Sequence, residues 1–253
     1  MLLPRIIPCL LLTKEGLVKT QKFKNPVYVG DPINAVKIFN EKKADELIIL
    51  DIGATKNKYE PNFALINKIA REARMPICYG GGIKNLDQAK NIFNFGIEKI
   101  AISSVFFSDD RLVSKISEYA GSQSVVVILD VKKINNKYSI FINNGTKEVG
   151  NEINHFIKKI ENCGAGEIVI NSIDRDGTMI GYDYDLIDQI FSITKIPLTV
   201  VGGGGTIEDI KKTIKKYGNI GIACGSLFIF KGPRKAVLIN YPSKIEKKEI
   251  ISN

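Results

Sequence analysis

ELIILDIGAT, residues 46–55, returns about 120 residues later as EIVINSIDRDGT, residues 167–178. MPICYGGGI (75–83) returns at the same interval as IPLTVVGGGG (196–205), and KIAISSVFF (99–107) as IGIACGSLF (220–228). Each repeated block is a short β-rich apolar run ending in glycine, aspartate or serine, which reads as a strand and the turn that follows it. A fixed interval held across three blocks makes the chain two copies of one half.

Working outward, further strand-like runs lie at Ile6–Leu12 and Val125–Asp130. With Glu46–Asp51, Pro76–Tyr79, Lys99–Ser103, Glu167–Ile173, Pro197–Val201 and Ile220–Cys224 they make eight. The runs are continuously apolar rather than alternating, as in parallel strands covered on both faces. Helical patterns such as Pro61–Arg74 and Ile207–Tyr217 supply the crossovers between them. The expected architecture is α/β, a single (β/α)8 TIM barrel with a twofold half-barrel repeat. The halves span about 1–120 and 121–232, and a divergent tail spans 233–253. An open doubly wound sheet would not need that symmetry. Residues 132–147, with Asn-Asn turns around YSIFI, read as a hairpin inserted after strand five.

The 253 residues suffice for one barrel, and 44% apolar with 25% charged residues is ordinary for a soluble globular chain. The formal charge of +9 raises nucleic acid as a partner, but the lysines are dispersed over predicted helices. The clusters at Lys211, Lys212, Lys215 and Lys216, and at 244–248, read as solvated faces, so phosphorylated metabolites are the better-supported anions. Cys9, Cys78, Cys163 and Cys224 match no metal spacing and read as reduced core residues of a cytoplasmic protein. The N-terminal apolar stretch is broken by Pro4, Arg5 and Pro8 and suits neither a signal peptide nor a membrane span. His155, the only histidine, falls in a polar helical pattern and reads as a surface residue. No metal site and no cofactor are expected.

Barrel sites form at the C-terminal ends of the strands. There, Gly80-Gly81-Gly82 and the run from Gly202 to Gly205 each lead toward a helix, and Ser103-Ser104 and Gly225-Ser226 follow one strand later. A single glycine turn would mean only tight packing. The doubled pattern predicts two phosphate cradles on opposite rims. Asp130 ends strand five and is placed for general acid–base work. Asp51, Asp174 and Asp176 are weaker candidates, since a strand-end aspartate is often a helix cap. At the other end, Arg5, Glu46, Lys99 and Glu167 start strands one, two, four and six. Pointing inward they would close the barrel with ion pairs; pointing outward they would be ordinary solvated charges, and the residues alone slightly favour the second.

RIIPCL, DELIILDI, GGGI, GSQSVVVILD, GAGEIVINSIDRDGTMIGYD and the late GGGG closely resemble HisF, the cyclase subunit of imidazole glycerol phosphate synthase, over residues 1 to about 230. The resemblance implies a barrel paired with a HisH-type glutaminase in a heterodimer. Ammonia would cross the core and convert a phosphoribulosyl-formimino aminoimidazole carboxamide ribotide into imidazole glycerol phosphate and aminoimidazole carboxamide ribotide, a step of histidine biosynthesis. It implies that Arg5, Glu46, Lys99 and Glu167 gate the ammonia route, which displaces the solvated reading. Gly82 and Ser104 would hold one phosphate and Gly177, Gly203 and Ser226 the other, with Ser103, Asp176 and Gly225 among the residues that bind phosphate or substrate. Asp130 would be the general acid, and Lys19, in a mobile loop Lys14–Gly30, would close over substrate.

The chain departs from that pattern at strand one, where Leu11 stands in place of a second catalytic aspartate. Ser103 replaces an asparagine, Asn171 a threonine, and the C-terminal GPRKAVLINYPSKIEKK does not resemble the usual final helix. An intact ammonia route beside damaged cyclisation chemistry is similar to HisF-like paralogues that channel ammonia to a sugar amidotransferase in surface-glycan synthesis. A phosphate-binding scaffold without catalysis is the third possibility.

Overall fold

The computed structural model describes residues 3–252. Eight parallel strands close on themselves: Arg5–Thr13, Leu47–Asp51, Ile77–Gly80, Lys99–Ile102, Val125–Ile134, Glu167–Ser172, Leu198–Val201 and Gly221–Cys224. They are numbered here one to eight in chain order. Each is hydrogen-bonded to its neighbours, strand eight pairs back with strand one, and strand five pairs with strand six. The (β/α)8 barrel expected from the repeat is the fold observed.

Alternation along each strand divides the apolar residues into two cores. On strand one, Ile7 and Cys9 point into the barrel while Ile6, Leu10 and Leu12 point out toward the helices. The inner column is Ile7, Cys9, Ile48, Cys78, Ala101, Val126, Ile128, Val169 and Ala223. The outer core is larger because each helix adds a stripe of its own. Helix Ile207–Tyr217 buries Ile210, Thr213, Ile214 and Tyr217 and leaves Lys212, Lys215 and Lys216 in solvent. Its start is fixed by a capping box, in which Thr206 accepts from the Asp209 amide and the Asp209 carboxylate accepts from the Thr206 amide. Such a cap stabilises a helix by about 1 kcal/mol. Asp31, Asn62 and Asn85 cap helices Pro32–Glu41, Phe63–Glu72 and Leu86–Asn94 more simply, each side chain accepting from a backbone amide of the first turn.

Three segments differ from expectation. The stretch Lys14–Gly30 is no free loop: strand one turns into a ribbon, Gly16–Gln21 pairing with Lys24–Gly30, whose first strand lies along the end of strand one. The insertion after strand five is longer than a hairpin, because strand five itself runs to Ile134 and is followed by Lys137–Ile142 and Lys147–Gly150. The divergent tail does end in a helix, Lys244–Ser252, which packs against helix Ile207–Tyr217. It is tied down by Lys247 to Asp45 at 2.5 Å and by Tyr241, whose hydroxyl donates to the Ile6 carbonyl at 2.7 Å. The Tyr241 ring also meets Phe39 edge-on, with centroids 6.4 Å apart, and lies tilted against Phe228 of the four-residue helix Ser226–Ile229 at 5.2 Å. Among the described residues no helix is long and apolar enough to cross a membrane.

Candidate functional site

The strand starts settle the question the sequence left open. Arg5, Glu46, Lys99 and Glu167 share the inward parity of Ile7, Ile48, Ala101 and Val169 two residues further on, so all four turn into the barrel. Arg5 bridges Glu46 and, at 2.7 Å, Glu167; Lys99 bridges Glu46 and Glu167 at 2.9 Å each. Every charge therefore has two opposite partners in one closed ring. Thr199, at the same level on strand seven, donates to Glu167 at 2.5 Å and accepts from Arg5 at 3.3 Å. Sequence reasoning missed Thr199; its parity with Val201 was the available signal. Burial alone would raise the Glu167 carboxyl, but Arg5 and Lys99 outweigh it and hold it below the usual carboxylate range. Burial would likewise lower Lys99, yet the two glutamates keep it raised.

Above the ring stands the inner apolar column, and above that the mouth opens into a cavity of about 530 Å³. The residues facing it continue the inward parity: Leu11 above Cys9, Asp130 above Ile128, Asn171 above Val169. Burial pushes the Asp130 carboxyl up to about 7; the Asn171 side-chain amide, donating at 3.1 Å, works against the shift and Asp176 adds to it. A carboxyl near 7 can exchange protons in neutral solution. Leu11 lines the same cavity and can exchange none.

The rims carry the repeated glycines. Gly81 (φ +115°) and Gly202 (φ +93°) sit where a Cβ would meet the carbonyl oxygens of Asp51 and Ser172, at 2.4 and 2.7 Å. Those two carbonyls belong to equivalent strand ends of the two halves, so the same close approach occurs twice. Gly82, Ser103 and Ser104 line the cavity on one side, and Gly177, Gly203, Gly225 and Ser226 on the other. Ser104 accepts from the Asn143 amide at 3.0 Å, and Asn144 donates to the Ile52 carbonyl at 2.6 Å. The strand-five insertion therefore leans over the first rim.

The ribbon 16–30 leans over the second. Asp176 accepts from Thr20 at 2.9 Å and from the Phe23 amide at 3.3 Å. Lys19 is buried, its ammonium donates to the Cys9 carbonyl at 3.1 Å, and a Cβ at Gly225 would overlap it. The other strand-end aspartates are occupied structurally. Asp51 caps helix Ile52–Asn57 and accepts from Tyr59 at 2.8 Å, and Asp174 accepts from the Lys133 amide. His155 is exposed, and all four cysteines are free, three of them buried.

Residues 5–233 match the family described as "Histidine biosynthesis protein". A "Putative imidazole glycerol phosphate synthase subunit HisF" from Leptospira borgpetersenii is 54% identical over 99% of both chains. A "Putative imidazole glycerol phosphate synthase subunit hisF2" from Pseudomonas aeruginosa is 48% identical over 94% of this chain and 95% of its own. An "Imidazole glycerol phosphate synthase subunit HisF" from Natranaerobius thermophilus is 37% identical over 96% of this chain and 97% of its own. With the barrel, the inward ring and the doubled glycine rims already in place, these matches lead to one assignment: the chain belongs to the histidine biosynthesis protein family, as a member of its HisF branch.

Proposed function

We propose that this chain is the barrel subunit of a glutamine-dependent amidotransferase of the imidazole glycerol phosphate synthase type, in which the cyclisation step is impaired. A HisH-type glutaminase docks at the ring end, ammonia crosses the apolar column, and a ligand with two phosphates spans the rims at the mouth. The observation that carries the reading is Leu11, set into a mouth that otherwise keeps Asp130 and both rims. Cyclisation with cleavage of the ribotide moves protons on both sides of the ligand, and removing one positioned acid–base group costs roughly 10²–10⁴ in rate. The ring and column contain no such loss. Ammonia therefore reaches the mouth and passes to a separate acceptor, a sugar amidotransferase of glycan synthesis.

A second reading, full cyclase activity in histidine biosynthesis, is favoured by Asp130 and by the two intact rims. Turnover of the phosphoribulosyl ribotide with ammonium chloride at high pH separates them. Robust turnover by the natural chain would overturn the first reading. No turnover, with glutaminase activation retained, supports it.

A further inference from the structure

The Asn171 side chain is 7% exposed, and its Oδ1 has no hydrogen-bond partner although it is fully enclosed. A buried amide oxygen left unpaired costs about 1–3 kcal/mol, so an unpaired one at the edge of a cavity points to a ligand that supplies the missing donor. Its other end is engaged, Nδ2 donating to Asp130. Strand six places Asn171 directly above Val169, at the level where the apolar column ends and the mouth begins. On strand one the corresponding level holds Leu11, which offers no polar atom.

We propose that Asn171 is the first polar group to meet ammonia leaving the barrel interior, accepting one of its N–H bonds at Oδ1, and that through Nδ2 it positions Asp130 in its ionised form. This inference rests on the reading that ammonia crosses the barrel. Ammonia is a nucleophile only while its lone pair is free, and a neutral carboxyl at that level would protonate it. An amide donating to Asp130 favours the carboxylate, which cannot. The lone pair then points away from Asn171 toward the cavity. The charged groups sharing this space are Asp176 and Lys19 over the second rim, Lys58, Lys84 and Lys147 around the cavity, and Asp51, which is held in its cap. Among them only Asp176 acts on Asp130 beside Asn171, raising it.

The test uses the purified full chain, labelled with ¹³C at the side-chain carbonyls of Asp and Asn. Asp130 is titrated in the natural chain, in Asn171→Leu and in Asn171→Thr. Separately, ammonium chloride or sodium chloride is titrated into the natural chain at pH 8.5. Asn171→Leu should move the Asp130 midpoint upward, and Asn171→Thr, which keeps a hydroxyl donor, should bring it back toward the natural value. The Asn171 carbonyl signal should move saturably with ammonium chloride and stay in place with sodium chloride. An unchanged Asp130 midpoint in both variants would remove the positioning role, and an equal response to the two salts would remove the acceptor role. If Asn171→Leu does not fold, the threonine variant and the salt titrations decide. A saturable ammonium response in a chain that takes no nitrogen from any glutaminase would keep this site and overturn the proposed function instead.

Discussion

Asp130→Asn should stabilise the protein, and increasingly so as pH rises. The carboxyl has an ordinary value of 3.8 and is pushed up to about 7 in the fold. Its raised value means that the folded state holds a proton the unfolded chain has already released, so stability is greatest below 3.8 and is lost as pH climbs toward 7. Three units at 1.36 kcal/mol each give a loss of about 4 kcal/mol by pH 8.5, of which roughly 3 kcal/mol develops above pH 5. Asp130 keeps some contact with the cavity, and water there screens the charge, so about 2–3 kcal/mol is expected. Asparagine is nearly the same size and does not titrate. Urea unfolding of both proteins at pH 5 and pH 8.5 gives the difference, because groups that do not interact with Asp130 titrate equally in the two chains and the coupling of Asp130 to Asp176 is part of what is read. The variant should gain about 2–3 kcal/mol over the natural chain between the two pH values. A gain that is the same at both would refute the raised value and the burial argument behind it.

Leu11→Asp should raise turnover of the phosphoribulosyl ribotide with ammonium by 10- to 100-fold or more if the mouth is otherwise intact, on the scale of roughly 10²–10⁴ for one acid–base group; a flat result would mean that the cavity has diverged beyond strand one. Lys99→Ala leaves Glu46 and Glu167 sharing Arg5 alone, and should cost about 3–5 kcal/mol in urea unfolding. In a glutaminase-coupled assay the same variant should lose more glutamine-dependent than ammonium-dependent rate, and equal losses would argue against passage through the ring. Tyr241→Phe removes the hydroxyl that donates to Ile6 and accepts from the Asp45 amide, and should destabilise by about 1–3 kcal/mol; no change would mean that the tail is not held there.

The parts legible in the sequence were those that repeat or that depend on residue type alone. The interval between the two halves gave the barrel, and it also gave the paired rims, because Gly81 and Gly202 meet equivalent carbonyls. Direction was less legible. Whether Arg5, Glu46, Lys99 and Glu167 face in or out depends on register, and a shift of one residue would reverse all four. The residues alone slightly favoured the wrong side, and the family resemblance corrected it. The ribbon 16–30 was read as a loop because its turn lacks the usual signal: Lys22 and Phe23 take positive φ without asparagine or glycine. The final helix was missed because only Ile250 of that segment is counted in the core. The role of Asn171 was beyond reach, since an unpaired oxygen exists only once neighbours are in place.

The ring also shows where the two halves had to diverge. Glu46 and Glu167 are equivalent, but the cations are not: Lys99 pairs in register with Cys78, while the corresponding pair in the second half is Gly221 with Thr199. A buried ring is tolerable near neutrality, and two cations already balance two carboxylates. Gly221 does more than omit a charge. A Cβ there would lie 1.8 Å from the Thr199 hydroxyl and 3.1 Å from the Arg5 guanidinium, so the bare backbone makes room for the contacts that hold Glu167. Gly221→Ala should therefore rotate Thr199 away and break its bond to Glu167. Overpacking and a lost bond to a charged group together come to about 3–5 kcal/mol. Adding Thr199→Ala removes the obstruction, so the double variant should be more stable than the sum of the two single losses by about 1–2 kcal/mol. Strict additivity in urea unfolding would show that Gly221 and Thr199 do not share this space, and the ring would then owe its asymmetry to charge balance alone.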